Sequence, residues 1–133
     1  MAISFEEYFL ELALLRAKLS ENDKFQAGAV IKDDKNDQIG IGCTSKRTDS
    51  KARSNSGCAE VNALYSAKLK AKDCVMYCSH FPCFECAKDI IRHGIKELVY
   101  IIDHDKDEDG LRAKKLFDSV GVLYRQSALF IDK

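Results

Sequence analysis

Three cysteines and one glutamate have the types and the spacing of a metal site with a proton carrier. Cys58 stands two residues before Glu60 in GCAEVNAL, and FPCFECAK supplies Cys83 and Cys86. The apolar spacing predicts that Cys58 opens one helix, and that Pro82 leads into a second helix opened by the other two cysteines. Helix N-termini stabilise thiolates, and residues three apart share one helix face. The pattern predicts three sulfurs converging on one ion.

These three sulfurs form an incomplete tetrahedral shell for zinc. Structural zinc sites are normally closed by a fourth side chain, whereas catalytic sites leave one position to water, whose pKa zinc lowers to about 7–9. Glu60 is placed to take a proton from that water and return it to a substrate nitrogen and a leaving amine. The combined pattern C-x-E … P-C-x-x-C is the signature of zinc deaminases, so the sequence predicts Zn²⁺-dependent hydrolytic deamination.

Other interpretations of the cysteines remain open at this point. The three predicted ligands could be buried free thiols, and Cys74 or Cys78 could supply a fourth sulfur that closes a purely structural zinc site. A disulfide framework is disfavoured because MAISFEEYFLEL lacks the basic leader of a secreted protein. We therefore predict a cytoplasmic protein with reduced thiols, whose six cysteines are Cys43, Cys58, Cys74, Cys78, Cys83 and Cys86.

Size and charge limit the possible partners. The 133 residues have the length of one domain, so we predict a single domain over residues 1–133. Lysine plus arginine and aspartate plus glutamate number 21 each, which argues against broad attraction to nucleic acid or to anionic membranes. No apolar run approaches the roughly 18 residues of a membrane span. A small molecule is the predicted partner.

The order of elements predicts an α/β layered domain with a partly parallel sheet. Ser4 and Glu7 have capping-box spacing and begin a helix that should end near Ser20. QAGAVIKDDKNDQIGIGC is typical of a hairpin, in which Gly28, Gly40 and Gly42 indicate close approach of another backbone or a ligand. Beyond the two cysteine-opened helices, the pattern predicts strands at 74–80, in KELVYII and in GVLYR, and a helix at 109–120.

Several blocks together resemble the cytidine/deoxycytidylate deaminase superfamily, and within it most resemble the deoxycytidylate (dCMP) deaminases. They are YFLELALLRA, QAGAVI, CAEVNAL, FPCFECAKDIIRHGIKELVY and LFDSVGVLYR, which cover nearly the whole chain except residues 44–57. The resemblance implies a three-layer cytidine-deaminase-like fold, a five-stranded mixed sheet flanked by helices. It also implies a pyrimidine nucleotide substrate, dCMP first, and a homo-oligomer.

The same resemblance assigns roles to individual residues. Zinc would be held by Cys58, Cys83 and Cys86, and Glu60 would shuttle protons. The positions implied at the substrate are Gln26, Thr44, Ala59, Asn62, Phe81 and Pro82. A polar loop carries four cations that are either solvated or a clamp for a nucleotide phosphate, namely Lys46, Arg47, Lys51 and Arg53.

The chain departs from the dCMP deaminase pattern at its first metal ligand and in the following turn. Cys58 stands where those enzymes usually have histidine, as in nucleoside cytidine deaminases, and Thr44 falls where the family has a Tyr-Asn-Gly turn. Three thiolates leave zinc with a formal charge of −1, for which Arg53 is a candidate counter-charge. A nucleoside substrate is therefore the alternative. His80 and His93 are interpreted as a strand-edge residue and a helix C-terminal cation.

Overall fold

The computed structural model describes residues 2–46, 57–103 and 108–129. Four helices and five strands alternate along these residues, in the order helix, hairpin, and then three helix–strand repeats. The helices are α1 (Phe5–Ala17), α2 (Ala59–Ser66), α3 (Phe84–Arg92) and α4 (Glu108–Val120). The strands are β1 (Gly28–Lys32), β2 (Gln38–Cys43), β3 (Val75–His80), β4 (Glu97–Ile102) and β5 (Leu123–Gln126).

The five strands form one mixed sheet in the order β2-β1-β3-β4-β5, which confirms the predicted fold class. β1 is antiparallel to both β2 and β3, whereas β3, β4 and β5 run parallel. The β1–β2 turn is short because the Asp33 carboxylate accepts the amides of Lys35 and Asp37 at 2.9 and 3.0 Å. The parallel pairs are joined by α3 and α4, since parallel neighbours require a crossover.

The sheet lies between two helical layers, each with its own apolar contacts. α1 packs Phe9, Leu10 and Ala13 on one face of the sheet, against Val30 and its neighbours. α2, α3 and α4 cover the other face, where the larger cluster lies. Among the described residues, no helix has the length and apolarity that a membrane crossing would require.

Helix α1 begins where the sequence predicts and ends slightly earlier. The Ser4 hydroxyl accepts the amide of Glu7 at 3.0 Å, as a capping residue does. The helix ends at Ala17, and the amides of Leu19 and Ser20 continue in a tighter turn, bonding to the carbonyl groups three residues earlier. The turn accounts for the three extra residues in the predicted helix.

Two glycines of β2 let helix α2 lie directly on the sheet, so that of the two predicted neighbours, a backbone or a ligand, the structure has a backbone. A β-carbon on Gly42 would lie 2.5 Å from the amide nitrogen of Ala63, and one on Gly40 would lie 2.6 Å from the carbonyl oxygen of the same residue. Real β-carbons do not approach backbone atoms so closely. The glycines therefore set the depth at which α2, with Cys58 at its start, is seated.

Candidate metal centre and active site

Three thiols from two helix N-termini meet at one point. Cys58 is the N-cap of α2, Cys83 is the N-cap of α3, and Cys86 lies in the first turn of α3. Their sulfur atoms all lie within 4.8 Å of one another. Tetrahedral zinc with Zn–S bonds of about 2.3 Å places its sulfurs roughly 3.8 Å apart, so the donor set fits one ion. We call these three residues the cysteine cluster.

The ionisation of the cluster also fits a bound cation. The pKa of the Cys83 thiol is lowered to about 2, because the thiols of Cys58 and Cys86 donate to it and backbone amides of α3 add to this. The pKa of Cys58 is raised to about 12 and that of Cys86 is raised as well, mainly because each donates its proton within the cluster. One negative charge is thus stable in the cluster by itself, whereas three require a divalent cation.

Glu60 lies beside the cluster and is buried, with 6% of its surface exposed. Burial raises the pKa of its carboxyl group to about 7, and the charge of Cys83 acts in the same direction. The Cys78 thiol, itself fully buried, forms a hydrogen bond with this carboxyl group. Among the described residues the metal-binding group does not include Cys74 or Cys78, so neither closes the zinc shell. All six cysteines are free thiols.

A cavity of about 290 Å³ opens onto Glu60 and the cluster. Four of the six predicted substrate positions line it, namely Thr44, Ala59, Phe81 and Pro82. Its lining also includes Phe25, Ala27, Cys58, Glu60, His80, Cys83, Cys86, Asp109 and Gly110. Part of this lining is apolar, namely Phe25, Ala27, Ala59, Phe81 and Pro82, which suits a flat heterocyclic ring.

The side chains of the other two predicted substrate positions, Gln26 and Asn62, form hydrogen bonds within the protein. The Gln26 side-chain amide donates to the carbonyl of Ser20 at 2.9 Å. The Asn62 amide donates to the carbonyl of Cys43 at 2.8 Å and to the hydroxyl of Ser45 at 2.9 Å. Asn62 thereby ties the end of β2 to α2. Their contact with substrate stays a prediction.

The predicted phosphate clamp falls mostly on a part of the chain that is not described. Lys46 is exposed at the end of the described segment. Arg47, Lys51 and Arg53 lie outside the described residues, as does the charge compensation predicted for Arg53. The clamp stays a prediction.

Sequence reasoning missed three cavity side chains that come from distant elements. Phe25 precedes β1, and its ring lies edge-to-face with that of His80 at 4.7 Å between centroids. His80 is the last residue of β3, as the strand-edge interpretation has it, but it also lines the cavity. The Asp109 carboxylate accepts the amide of Phe84, the first residue of α3, at 2.8 Å. Only Asp109, an acid in a predicted first helical turn, left any local signal.

The fold and the site together define a class. Two helix starts that hold three thiols beside a buried glutamate, on a sheet covered on both faces, are the arrangement of zinc-dependent deaminases. Residues 3–102 match the profile of the cytidine and deoxycytidylate deaminase zinc-binding region. The chain therefore belongs to the cytidine and deoxycytidylate deaminase family, and the predicted superfamily and its zinc cofactor are confirmed.

The chain is similar to deoxycytidylate deaminases over most of the length of both sequences. Deoxycytidylate deaminase from Homo sapiens is 36% identical over 143 aligned residues, which cover 93% of this chain and 80% of that protein. Deoxycytidylate deaminase from Pongo abelii is 34% identical with the same coverage. The solved dCMP deaminase of the cyanophage S-TIM5 has a TM-score of 0.74 and 21% identity, and covers 96% of this chain and all of that one. The solved structure supports the fold.

Proposed function

We propose that this protein catalyses the hydrolytic deamination of dCMP to dUMP. The observation that carries the proposal is the cysteine cluster beside buried Glu60 at the wall of a cavity of about 290 Å³. The substrate follows from similarity to the human deoxycytidylate deaminase, at 36% identity over 93% of this chain. An apolar cavity with a few polar groups suits a pyrimidine base.

The side chains at the site have separate roles in the reaction. Cys58, Cys83 and Cys86 would hold zinc, which supplies a Lewis acid that makes water nucleophilic near neutral pH. The Glu60 carboxylate takes one proton from the attacking water and delivers it to the ring nitrogen, where it stays in the product, and then carries the second proton of the same oxygen to the leaving amine. The bond between water oxygen and carbon 4 forms, the bond to the exocyclic nitrogen breaks, and ammonia leaves. The thiol of Cys78 forms a hydrogen bond with the Glu60 carboxyl group and thereby orients it.

The apolar walls keep the base in place for this proton transfer. Phe81 is buried and stacks edge-to-face on Tyr100, with 4.8 Å between ring centroids, so that the wall formed with Pro82 is rigid. Thr44 also lines the cavity, and its hydroxyl accepts the amide of Ala27 at 2.9 Å. Excluding bulk water strengthens the electrostatic effect of Glu60 on the reacting atoms.

A nucleoside cytidine deaminase is the second candidate. The observation that favours it is the thiol of Cys58 at the first ligand position, where nucleoside deaminases resemble this chain more than dCMP deaminases do. A structural zinc module is disfavoured for two reasons. The cluster borders an open cavity, and it supplies three sulfur ligands, whereas a structural zinc site normally has four protein ligands.

One assay separates these candidates. Purified zinc-loaded protein is incubated with cytidine, deoxycytidine, CMP, dCMP and dCTP, while ammonia release and the loss of cytosine absorbance are followed. We expect the highest kcat/KM for dCMP. A higher value for deoxycytidine would establish the nucleoside enzyme, and the absence of turnover on all five compounds would refute deamination.

Two variants test the role of Glu60. Glu60→Gln should retain zinc and the fold while turnover falls by about 10² to 10⁴, the usual contribution of a general acid–base group. Glu21→Gln, at an exposed position outside the helices, is the matched control and should keep full activity. Substantial activity in Glu60→Gln would contradict the mechanism.

We also propose that the protein is a homo-oligomer whose subunits pair through α1. Besides its buried face, α1 and the turn after it present a second apolar stripe with helical spacing. Leu15 and Leu19 are 60% and 68% exposed, and the stripe, called here the α1 stripe, comprises Phe5, Tyr8, Leu15 and Leu19. A helix that is apolar on two sides is unusual unless both are covered.

The charges beside the α1 stripe favour a second copy of the chain as the partner. Glu7 and Glu6, the latter already paired with Arg125 of the same chain, lie in the first turn, and Arg16 and Lys18 lie at the other end. In a two-fold symmetric, antiparallel pair the acidic start of each helix lies beside the basic end of the other.

We further propose that residues 1–133 form one domain and that the protein is cytoplasmic, in keeping with its six free thiols.

A further inference from the structure

A largely buried ion pair contacts the ring of Phe81, which lines the cavity. The ammonium of Lys114, on α4, lies 2.7 Å from Oδ2 of Asp103 and 5.2 Å from the centroid of the Phe81 ring. The side chains of Lys114 and Asp103 are only 18% and 11% exposed. A cation over an aromatic ring is attracted more strongly when both are shielded from water. The ion pair and the ring therefore form one contact between α4 and the cavity wall.

The ends of two parallel strands bring these groups together. The register pairs His80, the last residue of β3, with Ile102, the last residue of β4. The Phe81 amide then donates to the carbonyl of Ile102 at 2.8 Å, so that Phe81 and Asp103 follow neighbouring strand ends. Lys114, from the next helix along the chain, contacts both of them.

The packing of α4 on the sheet does not require an ion pair. The helix already buries Ala113 and Phe117. Burying two charges costs desolvation energy that their mutual attraction often fails to repay. Within the described part of the chain, Oδ1 of Asp103 is also buried without a hydrogen-bond partner, which adds to this cost. A pair that contributes little to stability is best explained by the geometry it fixes, which here is the position of the Phe81 ring.

Three neighbouring rings also contact Phe81, and all three contacts are edge-to-face. Their centroids lie 4.8, 6.0 and 6.1 Å from that of Phe81, and the rings belong to Tyr100, Tyr124 and Phe117. Edge-to-face pairs tolerate a range of separations, whereas a cation is attracted to the face of a ring. The ammonium, itself fixed by the ion pair, therefore favours one orientation of the Phe81 ring.

We infer that Lys114, held by Asp103, is a positioning residue that fixes the Phe81 ring for its contact with the pyrimidine base and so determines how tightly the nucleotide binds. The inference rests on the proposed function, because it concerns the wall of the same cavity. Lys114 and Asp103 are not among the described residues that line the cavity, so their effect reaches the substrate through Phe81. Loss of the cation should therefore weaken substrate binding more than it slows the chemical step.

A double-mutant cycle on the zinc-loaded enzyme tests this role by steady-state kinetics with dCMP and by calorimetric binding of the product dUMP. Lys114→Met removes the charge and keeps an apolar stem, Phe81→Leu removes the ring, and the double variant removes both. Lys114→Arg retains a cation for the carboxylate and for the ring. Val99→Ala is the control for lost stability, since Val99 is buried in the apolar cluster on the α1 face of the sheet.

We expect Lys114→Met to raise KM for dCMP and the Kd of dUMP by about 3- to 10-fold, with kcat changed by less than about twofold. Lys114→Arg should restore most of the lost affinity. Phe81→Leu should also raise KM, and adding Lys114→Met to it should cause no further increase, because the ring on which the cation acts is gone. Val99→Ala should lower Tm and leave KM unchanged.

Other results would overturn the inference while deamination itself stands. They are a wild-type KM in Lys114→Met, an effect of Lys114→Met that is the same with and without the Phe81 ring, or an equal rise of KM in Val99→Ala. If Lys114→Met does not fold, it is combined with Asp103→Leu, which leaves neither charge of the pair buried, and a wild-type KM in that protein would exclude the role. Wild-type enzyme that deaminates no cytosine compound would instead refute the proposed function, and the inference with it.

Discussion

The substitution Gly42→Ala tests whether the seating of α2 on the sheet positions the active site. The added β-carbon would lie 2.5 Å from the amide nitrogen of Ala63 and 2.8 Å from Cβ of Asn62. Both neighbours belong to the helix that begins at Cys58 and carries Glu60 in its first turn. Because the closest contact is with backbone, a side-chain rotation does not relieve it.

The size of the effect follows from the contact distance. Ordinary contact begins near 3.4 Å, so α2 must move away from β2 by about 0.9 Å. Overpacking of this kind destabilises a protein by about 1–3 kcal/mol. A displacement of about 1 Å at reacting groups lowers rates by up to about 10²-fold. We therefore expect kcat/KM for dCMP to fall by about 10- to 100-fold, because Cys58 and Glu60 move with the helix.

Thermal unfolding and kinetics of zinc-loaded Gly42→Ala are compared with those of Gly121→Ala. Gly121 has φ +82°, and a β-carbon added there would meet no heavy atom within 4 Å, so its substitution costs roughly 1–2 kcal/mol of backbone strain without a clash. The control should lower Tm and leave kcat/KM unchanged. If Gly42→Ala has wild-type Tm and activity, or if both variants lose activity equally, α2 seating does not position the site.

Three further predictions concern charge, assembly and metal affinity. The pKa of Glu6 is lowered, chiefly by its hydrogen bond from Arg125, so Glu6→Gln should lower Tm at pH 7 by the equivalent of at most about 1 kcal/mol. This difference should vanish as pH falls below 4.5 through the folded-state pKa, and a constant difference down to pH 3 would contradict it. Leu15→Glu should reduce the mass measured by light scattering, whereas Leu69→Glu, at a site 94% exposed and off the stripe, should not; equal masses would refute the α1 pairing. Asp109→Ala frees the first amide of α3 and should weaken zinc about 10- to 100-fold in chelator competition, and unchanged affinity would exclude this support.

Local features of the fold followed directly from the sequence. The Ser4 cap, the hairpin turn and the helix start at Cys83 depend on residues within four positions of one another, so capping and periodicity predict them. The close approaches at Gly40 and Gly42 were also predicted, because glycine in a predicted strand indicates that another group comes close to the backbone. The end of α1 was placed three residues too late, since a final tight turn has nearly the same pattern as a helix.

Three further side chains that line the cavity could not be predicted in this way. Phe25, His80 and Asp109 are far apart in the chain and meet only because of the strand order and the packing of α4 beside α3. Asn62 matched a family block, yet its amide bonds within the protein to the end of β2. Which side chain faces a cavity at the end of a strand depends on register and twist, which are long-range properties.

The amino-acid sequence by itself determined the chemistry of this protein, because thiols at two helix starts and a carboxyl group two residues from one of them are set by local spacing. Only the tertiary structure decided which other groups surround that chemistry. It brought the sulfur atoms within 4.8 Å of one another, buried Glu60, and placed His80 at the cavity wall. Those outcomes depend on contacts between residues distant in the chain, whose energies arise only when the sheet and both helical layers are assembled.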